Sequence, residues 1–579
     1  MDIDLTNPLH QYADKIKYKE EDVAGYECQH AFYTKRIDGQ SDMLFLKEYI
    51  HLKDGRKLIN TRQYIDHPRK YWITQERYRT NADKLEWIEA EQCHEYSAPQ
   101  YALAEDIALK LRRYTGRRDL RTLADTNWVH GADVSPTALI RQRYRNTFPD
   151  CRRPLSSMAT LDLETDMIWG TGEPIIAEVS FKDRACLAIN KKWLDGEDPE
   201  LFIQKVRQSI EYNLGEFIAA RKINVEIVVL DTPGQICAHA MRRLHEWKPD
   251  FVNVWNISFD MPKMIEWLEY ENYNLADVFC DPSVPPEYRY FEWIPGKTER
   301  KNRKGKVFKL KGMERWHHVE CPASFQWIDG MCYYYQRRKA NGMMRVGLDA
   351  CMSRHCKLGK LKFEVTNVSS GEWHRIMQKT PKHRADYCAY ALWDGVGLEI
   401  LDEETGDVGI SLVEDIGYTD LKYLTSMPKG LADALHFFVL ARGWVLSCVS
   451  ENMESAIDKI LPDVDNWIIA LPTYNVEQCG LRVIKDLPSV ISQIYAHVFD
   501  ADVVRTYPTV GQLLGVSKET TYKERTINVR GMSEDAVREW GINLSSGEVN
   551  SVELCVTGLG LPSLDQLLID YKEHIGQTA

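Results

Sequence analysis

A chain of 579 residues exceeds what one hydrophobic core can organise, so roughly two to four domains are expected. Its 44% hydrophobic and 27% charged residues exclude a disordered or fibrous protein. A net charge of −12 argues against bulk nucleic-acid binding but leaves room for a local basic site. No apolar run reaches membrane length and the start lacks a secretory hydrophobic segment, so a cytoplasmic protein with no membrane partner is expected. The 14 cysteines include no Cys-x-x-Cys pair. Cys351 and Cys356, near His355, lack the second half of a zinc motif, and reduced thiols are the expectation.

Residues 1–155 mix short strand-like runs such as DMLFLKEYIHL, RKYWITQERY and LEWIEAE with polar turns, and read as an α+β domain. Its end is basic, from Arg112 through Arg141, Arg143 and Arg145 to Arg153. A solvated face and a phosphate-backbone track both fit that run.

Residues 156–415 read as an α/β unit. MATLDLET, IIAEVSF and ACLAINKKWL predict three antiparallel strands, the last two joined across Lys182-Asp183. On the first, side chains alternate faces, so Asp162 and Glu164 project together while Leu161 and Leu163 face the other way. Two like charges side by side repel unless a cation lies between them, and hard oxygen ligands suit Mg²⁺ or Mn²⁺. An isolated Asp-x-Glu is more often an exposed strand end. GQICAHAMRRLHEW has helical spacing, and FVNVWNI is a strand entering a turn that carries Asp260. Pro262 fits the first turn of a helix running through Met264, Ile265, Trp267 and Leu268, and Asp260 faces the same cleft or caps that helix. Between Lys297 and Arg315 stand nine Lys/Arg against two Glu, with a turn at Asn302–Gly305, which reads as a basic β-hairpin or an exposed charged loop. RADYCAYALWDGVGLEIL is helical and places Tyr390 and Asp394 on one face. Two ions about 3.5–4 Å apart can clamp both oxygens of a phosphodiester displacement, and that needs several carboxylates and a group to orient water. Asp162, Glu164, Asp260, Asp394 and Tyr390 would supply them.

LDLETD, VWNISFDMPKM and YALWDGVGL resemble the three motifs of the proofreading 3′–5′ exonuclease domain of family B DNA polymerases, as found in large tailed phages. The resemblance implies a ribonuclease H-like domain with metal ligands at Asp162, Glu164, Asp260 and Asp394, two Mg²⁺ (or Mn²⁺) ions, and a water-orienting Tyr390. It implies that Asn256 and Phe259 hold the frayed primer end, although the second motif has one residue fewer between them than many members. The basic stretch with Arg300, Lys301, Arg303, Lys304 and Lys306 sits where that family carries a strand-parting hairpin. GLDACMSRHCKLGKLKFE resembles the segment ahead of the third motif, and DADVVRTYP resembles the first palm motif. By that likeness Asp502 is a polymerase metal ligand and catalytic residue, Tyr507 the steric gate, and the turn at Arg505 and Thr506 a nucleotide contact, these two replacing the usual Ser and Leu.

No fingers segment, second palm motif or thumb follows Tyr507, and Asp463-Val464-Asp465 precedes Asp502 and so fails on order. The expected architecture is an N-terminal α+β domain (1–155), the exonuclease domain (156–415), a helical connection packing back on the N-terminal domain (416–465) and an incomplete palm (466–579). The expected function is the N-terminal subunit of a split family B replicative DNA polymerase. Its partners would be single-stranded 3′ ends, primer-template DNA and a second chain with fingers, palm and thumb, with dNTP bound only in the complete enzyme. A free-standing 3′–5′ DNA exonuclease with a vestigial palm and a non-catalytic DNA-binding subunit remain as alternatives.

Overall fold

The structure is a computed structural model. It describes residues 16–448, apart from 81–83, 86, 112–115, 153–154, 302–305, 340–344, 362, 364 and 366–367, and beyond them only the short strands Ile527–Asn528, Ile542–Asn543 and Glu548–Val549. The chain divides into two compact units, Met1–Ser450 and Glu451–Ala579, so the expected boundaries near 155 and 415 fall inside the first. Asp502, Arg505, Thr506 and Tyr507 lie outside the described residues.

The first strands, β1 (Val23–Lys35), β2 (Asp42–Leu52) and β3 (Lys57–Ile65), form an antiparallel meander. β2 is buried along its whole length, Lys47 and Glu48 included. β4 (Arg69–Thr74), β5 (Trp87–Glu89), β6 (Cys93–Ala98), α1 (Leu103–Lys110), α2 (Leu120–Ala124), β7 (Val129–His130) and α3 (Pro136–Thr147) follow, with β4 central between β6 and β7. Part of the basic run is internal. Arg141 is buried, donates to the carbonyls of Tyr418 and Thr419 and pairs with Asp420 at 3.2 Å, while Arg145 donates to Gly417 O and lies over the Tyr418 ring.

A six-stranded sheet comes next. Its strands are β8 (Met158–Thr165), β9 (Pro174–Phe181), β10 (Arg184–Asn190), β11 (Asn224–Leu230), β12 (Phe251–Val254) and β17 (Gln326–Asp329). Helix α4 (Pro199–Arg221) connects β10 to β11, and α5 (Pro233–Trp247) connects β11 to β12. The order is β11-β10-β9-β8-β12-β17. β9 is antiparallel to both its neighbours, whereas β10/β11, β8/β12 and β12/β17 are parallel pairs. From β8 the chain works outward to β11 and then returns through α5 to the other flank of β8. The order therefore reverses between β8 and β12, and beyond the carboxyl ends of such a strand pair a crevice opens.

After β12 come α6 (Ile257–Tyr270), α7 (Leu275–Phe279), the small strand pairs β13 (Glu292–Ile294) with β16 (His318–Glu320) and β14 (Glu299–Lys301) with β15 (Val307–Lys309), then α8 (Gly330–Arg338), α9 (Leu348–His355), α10 (Ser370–Met377) and α11 (Pro381–Thr405). The helix expected to start at Pro262 begins five residues earlier, with Pro262 inside it. Ile257, Met261, Met264 and Leu268 recur at helical spacing and are all buried in one core, which repays forming the extra turn. The charged stretch does pair as a hairpin, Arg300 opposite Phe308 and Lys301 opposite Val307.

The sheet is covered on both faces. Ala159, Leu161, Leu163, Cys186 and Ala188 pack with α5 and α6 in one core, and Leu187, Ile189 and Ile227 pack with α4 and α11 in another. α12 (Leu412–Ile416), α13 (Met427–Leu440) and β18 (Trp444–Leu446) complete the described unit, with β18 paired to β5 and Phe437 packed on Val134 and Ala138. Among the described residues no helix is long and apolar enough to cross a membrane.

Candidate functional site

Acids gather at the sheet's switch point. β8 pairs with β12 only through Thr160, so its last turns of pleat, Leu161 to Thr165, run past the end of β12. Leu161 and Leu163 enter the α5–α6 core, and the alternation turns Asp162 and Glu164 toward α11. α11 starts at a Thr380 cap with Pro381 in its first turn, and its middle is buried from Tyr387 to Glu399. Tyr387, Tyr390 and Asp394 lie at i, i+3 and i+7 and so share the face over β8. One ligand atom from each of Asp162, Glu164 and Asp394 falls within 4.8 Å of the others, a grouping able to hold a metal ion. Asp260, in the first turn of α6 and 3% exposed, belongs to the same electrostatic cluster: its carboxyl feels Asp162 and Glu164 and is met by the N–H of Leu163 between them.

Burial and mutual repulsion set the protonation. Burial, then Asp394, push the Asp162 carboxyl up to about 7, with Lys360 opposing. Burial raises Glu164 well above the carboxylate range, Asp162 adding to it, and does the same to Asp260. Asp394 is raised by burial against the opposing Lys360, and its Oδ1 is buried without a hydrogen bond. Four carboxyls that cannot all ionise together, one with an orphaned oxygen, suit an oxygen-loving divalent cation.

Sequence reasoning alone assigns no role to five neighbours of the acids. Lys360 ion-pairs with Asp394 Oδ2 and donates to Tyr390 OH at 2.6 Å. Tyr387 donates to Glu164 Oε2, and its ring stacks on Tyr390 at 5.8 Å and 5°. His374 Nδ1 lies 2.7 Å from the Tyr387 hydroxyl, and the buried Gln378 ties α10 to the end of β8 through Thr165 O and Met167 N. Glu178 is paired with Asp162 across β8–β9, is fully buried and hydrogen-bonds through neither oxygen. Burial, then Asp162, hold its carboxyl well above the usual carboxylate range. Tyr387 was legible from its i+3 spacing to Tyr390, and Glu178 as the one acid in IIAEVSF. Lys360 lies in the segment likened to the family's region ahead of the third motif, where sequence reasoning assigns it no role.

Asn256 occupies the N-cap position of α6 and is exposed, and Phe259 is 42% exposed beside the buried Asp260. Arg300, Lys301 and Lys306 are exposed on or beside the hairpin strands, apart from the acid cluster, and Arg303 and Lys304 lie outside the described residues. His355 is engaged with the Tyr334 hydroxyl at 2.8 Å and joins Cys351 and Cys356 in no ligand cluster among the described residues. The twelve described cysteines are all free. No protein-family model and no curated protein matches the chain.

Proposed function

We propose that this chain is a metal-dependent 3′–5′ DNA exonuclease built on a ribonuclease H-like sheet. The observation that carries the reading is the convergence of Asp162, Glu164 and Asp394 within 4.8 Å, with Asp260 beside them, at the point where the strand order reverses. The single antiparallel strand beside β8 agrees with that fold. Mg²⁺ or Mn²⁺ held by these oxygens would activate a water and stabilise the leaving 3′ oxygen. The four acids are the proposed ligands. Tyr390, fixed by the Lys360 ammonium at 2.6 Å, orients the attacking water. Tyr387 holds Glu164 in its ligand rotamer. The exposed Phe259 ring offers a stacking face for an unpaired base, worth about 1–3 kcal/mol, and Asn256 a hydrogen-bonding edge. The basic hairpin contacts the phosphate backbone.

The test is digestion of single-stranded DNA labelled at its 5′ end. A ladder shortening from the 3′ end, dependent on Mg²⁺ or Mn²⁺ and stopped by chelation, supports the reading. Release from the 5′ end, or activity indifferent to chelation, removes it. The further proposal that Asp502 and Tyr507 belong to a shared polymerase site rests on the resemblance alone. Its test is nucleotide incorporation after co-expression with a chain that carries a second palm motif, fingers and thumb.

A further inference from the structure

A second ligand set lies at the far edge of the sheet, on the α5 face. Cys186 on β10 stands directly opposite Glu226 on the edge strand β11, and His239 on α5 comes down over both. One donor atom from each falls within 4.8 Å of the other two. We propose that Cys186, Glu226 and His239 bind a Zn²⁺-class ion, at a site separate from the acidic cluster.

The donor chemistry selects the class. A thiolate, an imidazole and a carboxylate suit zinc and other borderline-soft ions and discriminate against Mg²⁺, whereas the all-oxygen set around Asp162 does the reverse. Three protein ligands leave a fourth position for water. Bonds of about 2.0–2.3 Å put tetrahedral donors roughly 3.5 Å apart, so small side-chain rotations close the shell. His239 Nε2 already lies 3.4 Å from Glu226 Oε1, yet it makes no hydrogen bond although the residue is only 6% exposed. A buried imidazole nitrogen this close to a carboxylate, without a well-formed hydrogen bond, is available to a metal ion. Glu226 is also held in place, through the same Oε1 that faces His239. Arg243, one turn along α5, donates to Glu226 Oε1 at 2.6 Å, and Glu246 balances that guanidinium at 2.6 Å. A ligating carboxylate held by a hydrogen-bonding partner is the usual arrangement around a metal. Glu226 keeps a third of its side-chain surface, which gives the ion a way in. A neutral imidazole and a thiolate are the forms in which these side chains bind a metal, so binding there would release a proton from the thiol. The bound ion would pin the edge strand β11 to α5 and protect that edge from pairing with other chains.

Co²⁺ serves as the spectroscopic stand-in for Zn²⁺ in the metal-free full-length protein. The expected result is a thiolate-to-cobalt charge-transfer band that saturates at one equivalent, is bleached by stoichiometric Zn²⁺, and disappears in Cys186→Ser. It persists in Asp162→Ala, because the acidic cluster contains no sulfur. His239→Gln keeps the thiol and the packing volume and weakens Zn²⁺ binding by about a hundredfold or more. This variant decides the matter if Cys186→Ser does not fold. Absence of the band in the wild-type protein, its survival in Cys186→Ser, or unchanged Zn²⁺ affinity in His239→Gln overturns the site and leaves a partly exposed ion pair between Glu226 and Arg243. None of these outcomes bears on nuclease activity, which Asp162→Ala reports separately.

Discussion

Asp162 shows how much of the site's behaviour follows from one side chain's surroundings. Its carboxyl, raised to about 7 by burial and by Asp394, keeps its proton in the folded state after the unfolded chain has lost it. The folded state therefore binds more protons between the ordinary carboxylate value and about 7. Metal-free stability should fall as pH rises through that window. Glu164, Asp260 and Asp394 are shifted in the same direction and steepen the slope. Thermal melting across pH with chelator, then with Mg²⁺, checks this: the divalent ion should flatten the decline, and Asp162→Asn should reduce it without metal. The pair Asp162 and Glu164 was legible because a period of two is written in the sequence. The role of Lys360 was not, since only the folded chain brings its ammonium to Tyr390 and Asp394. Lys360→Met should lower kcat by about tenfold to a hundredfold with little change in KM, as expected for a group that positions rather than binds.

At the scale of elements, α11 must approach β8 and β9 closely for Asp394 to meet Asp162. Gly395 permits it: a Cβ there would stand 2.2 Å from Glu178 Oε2, so the buried Glu178 carboxyl or the helix would have to shift. Gly395→Ala should destabilise by about 1–3 kcal/mol and lift the helix from the acids. The double variant with Glu178→Ala should recover part of that loss, a coupling that denaturant unfolding of the four-member cycle would measure. Glu178→Gln, isosteric with the protonated carboxyl that the upward shift favours, should be nearly silent. Helix α11 and the strands β8 to β10 were legible from hydrophobic periodicity, and so was the hairpin pairing. The start of α6 was not, because Pro262 fits the first turn of a helix as well as it tolerates the second, and only burial of Ile257 and Met261 decides between them. Glycine 395 reads in the sequence as a helix weakness, and its reason lies on another element.

On the scale of the whole described unit, the N-terminal meander is clasped to the central sheet by a buried charge. Lys47 of β2 and Asp250, just before β12, are both fully buried and 2.8 Å apart. Asp250 also accepts from Tyr49 OH at 3.0 Å and from the Ser157 N–H at 2.7 Å, while its carbonyl meets His30 at 2.6 Å. That cluster fixes the entries to β8 and β12 together, hence the register that brings Asp162 to Asp260. Lys47→Met strands a buried carboxylate and should cost about 3–5 kcal/mol in denaturant unfolding, with loss of nuclease activity tracking loss of fold. A lysine in DMLFLKEYIHL reads as solvent-facing, so this clasp was invisible until tertiary structure buried it.

In the proposed nuclease, acids distant in the sequence share divalent cations, and those cations drive digestion. Mn²⁺ binding, followed by its electron paramagnetic resonance signal, and 3′-end digestion measured on the same preparations of wild type and Asp162→Ala test this together. Loss of high-affinity Mn²⁺ and a fall in digestion on the order of a thousandfold are predicted, since metal stabilisation of the transition state is worth several kcal/mol. Undiminished digestion by a folded Asp162→Ala protein would contradict it.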